Sequence, residues 1–285
     1  MTVIHVGFLK TASTLLQKQL FPNHPAMNFF NQIRHGGHSD MEEDPVYSEL
    51  VRLAHEGNET YDPSKLKAMF KSFVEHADGE VVISDEAFTS YDGNIGLKAE
   101  RLKDVFGEVK VLFVLRNQFS SMRSYQKQNG IKTHLIPGPL DRVDWEQRLW
   151  YQMLPGHLHW KYLSMLHYNE IIGYYEKLFG RENIHVLLYE TLKSDLTEFS
   201  RQLAAIFSID ADEVRSLLQS KGENVGPKQA YRRAFKFVPH ILLKKKDPQN
   251  FEAYEARVRE MFEVGNKLLM DRYDLPLKSY GYPVA

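Results

Sequence analysis

Val3-Ile4-His5-Val6-Gly7-Phe8-Leu9-Lys10-Thr11-Ala12-Ser13-Thr14, continued by Leu15-Leu16-Gln17-Lys18-Gln19-Leu20, is the stretch that decides the fold. An apolar, β-branched run ends at a glycine, passes through a short loop rich in hydroxyls, and enters a helical pattern of leucines. Strand, loop and helix in that order make a phosphate site. The first helical turn leaves backbone N–H groups unpaired and carries the positive end of the dipole. Gly7 permits a tight turn, and Lys10 with the hydroxyls of Thr11, Ser13 and Thr14 supplies further donors. The Walker A pattern is absent, because no glycine directly precedes Lys10 and Gly7 stands too close to it. Taken alone, the same residues also suit an ordinary βα turn with a Ser/Thr cap and an exposed lysine.

The alternation continues along the chain. Short, mostly apolar runs at 3–8, 26–30, 80–84, 109–115 and 184–188 read as strands buried on both faces. Helical patterns separate them, at 64–77 and 97–106 among others. Two later helices carry start signals, Asp195 with Glu198 and Asp210 with Glu213. The expectation is an α/β fold with a central, mainly parallel β-sheet flanked by helices. No internal repeat or low-complexity tract interrupts it, so residues 1–285 are expected to form a single domain, with a C-terminal helical segment from about 226 packing on it. The last long helix, around 251–272, has apolar residues at Tyr254, Val258, Met261, Phe262, Leu268 and Leu269 and is expected to lie as a lid on the core.

Composition narrows the function classes. With 285 residues, 43% hydrophobic and 26% charged, the chain can bury a sizeable core. Lys plus Arg number 36 against 37 for Asp plus Glu, a net charge of −1, so nothing global attracts nucleic acid or an anionic membrane and any anion site must be local. The absence of cysteine excludes a disulfide framework, thiolate catalysis and Cys-ligated zinc, and fits a reducing compartment. The opening residues lack a basic region followed by a long apolar run, and no stretch approaches the ~20 apolar residues of a membrane span. A soluble, cytoplasmic protein is expected.

A second motif follows the strand Lys110-Val111-Leu112-Phe113-Val114-Leu115 and reads Arg116-Asn117-Gln118-Phe119-Ser120-Ser121-Met122-Arg123-Ser124-Tyr125. It places an arginine at the end of a buried strand, where ligands bind in such sheets, with Ser124 eight residues on in a helical stretch. Arginine suits a bidentate grip on phosphate; the plainer alternative is an ion pair with a carboxylate.

In order, spacing and position on the sheet, the two motifs together resemble the sulfotransferases that use 3′-phosphoadenosine 5′-phosphosulfate (PAPS), and this chain looks closer to the carbohydrate and bacterial branch than to the cytosolic steroid and phenol enzymes. The resemblance implies that Lys10, Thr11, Ala12, Ser13 and Thr14 hold the 5′-phosphosulfate, and that Arg116 and Ser124 hold the 3′-phosphate. Where family members often have proline, this chain has Gln118, a departure that bears on the turn more than on the contacts. Val186-Leu187-Leu188-Tyr189-Glu190-Thr191-Leu192 is similar to the family's strand followed by Tyr-Glu and a helix, with Tyr189 as the adenine contact, and Tyr280-Gly281-Tyr282 is similar to common family endings. PAPS is the implied co-substrate, and the transfer requires no metal.

Sulfuryl transfer needs an activated acceptor, in-line attack at sulfur and neutralisation of the departing phosphate oxygen. Lys10 suits the leaving oxygen. For the base, strand 80–84 delivers Asp85-Glu86 where the cytosolic enzymes of the family place a catalytic histidine, and Glu86 is the expected base; the plainer alternative is that Asp85 caps the next helix while Glu86 forms a surface ion pair. Asp85, His134, His35 and His38 are the other candidates for the base. The run Lys132-Thr133-His134 looks like one in the cytosolic enzymes but stands on the wrong side of the second motif. His157, His159 and His167 lack the spacing of a metal site.

The acceptor is expected to carry a hydroxyl or amine. Tyr125, Trp145, Trp150, Tyr151, Trp160, Tyr162 and Tyr168 offer aromatic faces that suit sugar rings, and a carboxylate base resembles the carbohydrate branch, so a carbohydrate or glycolipid is favoured. Between 221 and 246, eight basic residues stand against Glu223 alone. In the family a late basic, glycine-containing loop closes on the 3′-phosphate, and Lys221-Gly222 or Gly226-Pro227-Lys228 would be that loop here. Apolar residues such as Phe235, Phe237 and Ile241 interleave with the charges, which also suits an anionic membrane surface, although a helix packed on the core is plainer. The rival is an ATP- and magnesium-dependent kinase with a divergent phosphate loop, in which Asp85 would bind magnesium. A binding module without chemistry is the third reading.

Overall fold

A computed structural model describes residues 1–30, 45–89, 94–122, 124, 164–219 and 251–285. Five strands form one sheet: β1 (Thr2–Val6), β2 (Met27–Phe29), β3 (Glu80–Asp85), β4 (Lys110–Leu115) and β5 (Ile184–Leu188). Their order is β2-β3-β1-β4-β5, and every pairing is parallel. The α/β architecture expected from the sequence is therefore present, and all five expected strands exist.

Side-chain alternation builds a core on each face of the sheet. On one face Ile4, Val6, Ile83, Val111 and Phe113 join α4 (Ile95–Phe106), α5 (Tyr168–Phe179) and α9 (Phe251–Tyr273). On the other, Val3, Val82, Leu112 and Val114 meet α7 (Leu196–Phe207), α8 (Ala211–Gln219) and the first helix. That first helix, α1 (Ser13–Leu15), widens at once into a π-helical turn over Leu16–Leu20. Helices α2 (Pro45–His55) and α3 (Ser64–His76) lie between β2 and β3, and the short α6 (Tyr189–Ser194) follows β5 directly. The two start signals operate as expected. The Asp195 carboxylate accepts from the backbone N–H of Glu198 at 3.0 Å, and that of Asp210 accepts from Asp212 and Glu213 at 2.9 Å each.

Some boundaries differ from expectation. β1 stops at Val6, and Phe8 leaves the ladder to bury its ring against Phe113 and Tyr168; an apolar residue continues the strand pattern while its packing belongs to the helical layer. Helix α9 buries Val258, Phe262 and Leu269 against α5, but Leu268 is 47% exposed. It is adjacent in sequence to Leu269 and so lies about 100° around the helix, off the packed stripe. Among the described residues no helix is long and apolar enough to cross a membrane.

The topology fixes where a ligand can bind. From β1 the chain turns toward β2 on one side, and from β4 it continues toward β5 on the other, although β1 and β4 are neighbours. Their following loops diverge and leave a crevice at the carboxyl end of the sheet, and both motifs read from the sequence fall there. Beneath it, buried His5 meets the Ser84 hydroxyl at 2.7 Å, and Gln17 donates to the Ser84 carbonyl at 3.2 Å, so β1, β3 and the π-helical turn after α1 are pinned together. Burial pushes His5 down to about 3, so it is neutral at physiological pH.

Candidate active site

The loop after β1 has two non-glycine residues in the left-handed region, Lys10 at φ 71° and Ala12 at φ 72°. Such a turn curls backbone N–H groups into a concave anion nest ahead of the helix. Each left-handed L-residue costs about 1–2 kcal/mol, so the loop is held. The buried Thr11 hydroxyl donates to the Phe8 carbonyl at 2.8 Å, and Leu15 N–H donates to the Ala12 carbonyl at 2.9 Å. Strain maintained by buried hydrogen bonds at a sheet crevice points to a functional loop. The hydroxyls divide their work: Thr11 shapes the loop, Ser13 is buried, and Thr14 is exposed on the first turn.

Gly7 serves a different purpose from the turn expected of it, since its backbone is not left-handed. A Cβ there would stand 2.9 Å from Ser13 Oγ and 3.1 Å from Glu86 Cγ. Gly7 is the clearance that lets the strand-end carboxylate approach the loop. Gly7→Ala is expected to lower stability by about 1–3 kcal/mol and to reduce both turnover and donor affinity, because the clash falls on Ser13 of the loop and on Glu86. Urea unfolding and steady-state kinetics check it; unchanged turnover would contradict this role.

Glu86 opens a short 3₁₀ turn, Glu86–Phe88, at the end of β3. The turn is clamped from three sides. Asp85 Oδ1 accepts from Ala87 N–H at 2.8 Å, the fully buried Lys98 of α4 donates to the Ala87 carbonyl at 2.7 Å, and the Thr89 hydroxyl donates to the Gly7 carbonyl. The Ser13 hydroxyl, which donates to the Phe8 carbonyl at 3.4 Å, lies close enough to the Glu86 carboxyl to favour its charged form. Burial pushes Glu86 up to about 7 and the neighbouring Asp85 charge adds to this, while the Ser13 hydroxyl and Lys10 oppose it. A carboxyl that titrates near neutrality beside a phosphate-type loop suits a general base. Asp85 is the cap that the sequence suggested. Burial raises its pKa, countered by the Ala87 N–H and by the charges of His55 and Lys98. That cationic setting and an engaged oxygen disfavour the magnesium ligand of the kinase reading.

Arg116 joins the two motifs. Its Nη1 donates to the Lys10 carbonyl at 2.9 Å and its Nε to Ser120 Oγ at 2.8 Å, while its guanidinium lies 4.4 Å above the centre of the Tyr189 ring. These bonds go to a carbonyl and a hydroxyl, not to the carboxylate partner of the plainer alternative. Tyr168, one of the aromatic residues considered for the acceptor, is buried and donates its hydroxyl to the Arg116 carbonyl at 2.9 Å, so it belongs to the core. Ser124 lies half-buried on the helical stretch after the loop. Ser120 and Glu190 were not singled out from the sequence; Ser120, four residues after Arg116 and one helical turn away, was the legible one.

His167 lies 3.9 Å from the Glu170 carboxylate and packs on Phe262. The remaining candidates, His35, His38, His134, His157, His159, Tyr125, the three tryptophans, Tyr151, Tyr162 and the basic stretch 221–246, lie outside the described residues.

No protein-family model matches the chain, and no curated protein is significantly similar to it. The solved structures similar to it in part include two sulfotransferases. One is a sulfotransferase from Alicyclobacillus acidocaldarius, with 16% identity, TM-score 0.48, and coverage of 74% of this chain and 81% of that one. The other is the sulfotransferase domain of the Synechococcus PCC 7002 olefin synthase, with 14% identity, TM-score 0.43, and coverage of 87% and 84%.

Proposed function

We propose that this chain is a sulfotransferase that moves the sulfuryl group of PAPS to a hydroxyl or amine of an acceptor, with a carbohydrate or glycolipid as the favoured class. The observation that carries the reading is the Arg116–Lys10 hydrogen bond of 2.9 Å, which unites two anion-gripping loops at one crevice. A donor phosphorylated at both its 5′ and 3′ positions needs two such grips; an ordinary nucleoside triphosphate needs one.

The nest formed around Lys10, Thr11, Ala12, Ser13 and Thr14 would receive the 5′-phosphosulfate, and Arg116 with Ser124 the 3′-phosphate, with Tyr189 against the adenine. Glu86 takes the acceptor's proton as its oxygen attacks sulfur in line. The bond between sulfur and the bridging oxygen breaks, and the charge left on that oxygen is met by Lys10 and the loop amides. The products are the sulfated acceptor and 3′-phosphoadenosine 5′-phosphate.

A thermal-shift titration with 3′-phosphoadenosine 5′-phosphate, metal chelated, beside ATP with magnesium tests the donor site. Ligand at 100 times its Kd stabilises by about 2.7 kcal/mol, which raises Tm by several degrees in a chain this size. Arg116→Ala is expected to weaken binding roughly 10- to 100-fold, as loss of charge-assisted hydrogen bonds implies. A shift with ATP and magnesium alone would replace this reading with phosphoryl transfer.

A further inference from the structure

Behind the Arg116 loop lies a buried polar network that donor contact does not account for. Asn117 N–H donates to Glu190 Oε1 at 3.0 Å, and the other oxygen of Glu190 accepts from the Tyr282 hydroxyl at 2.9 Å. The Asn117 side chain donates to the Tyr280 carbonyl at 3.1 Å and accepts from Ser120 N–H at 3.2 Å, next to the hydroxyl that holds Arg116. Gln118, fully buried, exchanges hydrogen bonds of 2.9 and 3.2 Å with Asn266 of α9, and Asn266 also donates to the Pro283 carbonyl at 2.7 Å. The residue that departs from the family's usual proline thus ties the loop to α9 and, through Asn266, to the end of the chain.

These groups cost free energy to bury, and such a network specifies one geometry only when its members are satisfied. Its bonds converge on consecutive residues, 117 and 118, where the loop enters the next helical stretch immediately after Arg116. Glu190 also follows Tyr189, on whose ring that arginine rests. The carboxyl of Glu190 is held above its usual range by burial, opposed by the Asn117 N–H and the Tyr282 hydroxyl, so it is retained at some cost to stability. A tail that served only to cover apolar surface would need the rings of Tyr280 and Tyr282 but no carboxylate between them.

We infer that Glu190, Gln118, Asn266 and residues 280–283 form a brace that positions the Arg116 loop, so that docking of the C-terminal tail and binding of an adenosine 3′,5′-bisphosphate at that loop are linked. The inference rests on the donor site proposed above. Linkage is reciprocal: the nucleotide must steady the tail, and loosening the tail must weaken the nucleotide.

Both directions are measurable with 3′-phosphoadenosine 5′-phosphate as the probe. Amide hydrogen exchange of residues 280–285 in the full chain is expected to slow at least about fivefold when the nucleotide saturates. Tyr282→Phe, which keeps the ring and removes the hydroxyl, and Glu190→Gln are expected to raise its calorimetric Kd about 5- to 30-fold, with loss of the tail's nucleotide-dependent protection. A Kd within twofold of the parent in both variants, or tail exchange indifferent to nucleotide, would overturn the brace. The exchange experiment on the unmutated chain decides even if a variant folds poorly. A parent chain that binds no bisphosphate would instead remove the donor site, and that outcome is visible before any variant is made.

Discussion

Lys10→Ala is expected to reduce turnover of PAPS by about 10³-fold or more while the bisphosphate product still binds within about tenfold of its original affinity. The split follows from where charge appears. In the proposed complex the 5′-phosphate carries its ordinary charge before transfer and is met by several loop amides and the first helical turn, while Arg116 with Ser124 holds the 3′-phosphate. In the transition state negative charge grows on the bridging oxygen, and one preorganised donor aimed at such an oxygen is worth about 10²–10³ in rate, more when it is a full cation in a dry site. Lys10 sits in a left-handed conformation that no ordinary surface lysine needs. Its charge also lowers the pKa of Glu86. The same substitution should therefore move the acid limb of the pH–rate profile upward. Single-turnover transfer with metal chelated measures both effects. Full activity in Lys10→Ala would show that another group meets the leaving oxygen.

Glu86→Gln is expected to lower turnover 10²- to 10⁴-fold, the usual range for a lost general base, with donor affinity nearly unchanged. The pH dependence has a definite sign. A base works when deprotonated, and burial has pushed this carboxyl up to about 7. Activity of the parent should rise about tenfold per pH unit below that value and level off above it; the Gln variant should lose the limb. For stability the same shift acts in the opposite sense. Glu86 binds its proton more tightly folded than unfolded, so its contribution is complete below its unfolded pKa and is lost as pH rises through about 7. A buried carboxyl poised this way costs stability at neutral pH, which is the expected cost of the proposed base. If Glu86→Gln retained full activity and the limb, the base would be sought among Asp85, His35, His38 and His134.

Much of the scaffold was legible in the residues because its causes are local. Runs such as Val111-Leu112-Phe113-Val114 are apolar on successive positions, which suits only a strand buried on both faces, and each of the five was found within two residues of its observed ends. Asp195 and Asp210 cap their helices through residues two or three positions away, which is why the signals were readable. Errors came where pattern and packing part. Phe8 looks like strand yet packs with Tyr168, and Leu268 looks like core yet faces outward on α9.

The sequence by itself determined the α/β class, the strand–loop–helix unit around Lys10, the arginine closing β4 and the placement of Asp85-Glu86 at a strand end, since each depends on periodicity or on neighbours within a few residues. Only the tertiary structure decided that Arg116 bonds to Lys10 across 106 positions of chain, that Ser13 meets Glu86 over the gap left by Gly7, and that Gln118 pairs with Asn266 at a separation of 148. Those partnerships carry no local signature. They arise from a parallel sheet that brings β1, β3 and β4 side by side while their connecting segments run elsewhere, and from burial that shifts a carboxyl toward neutrality only after the chain has closed around it.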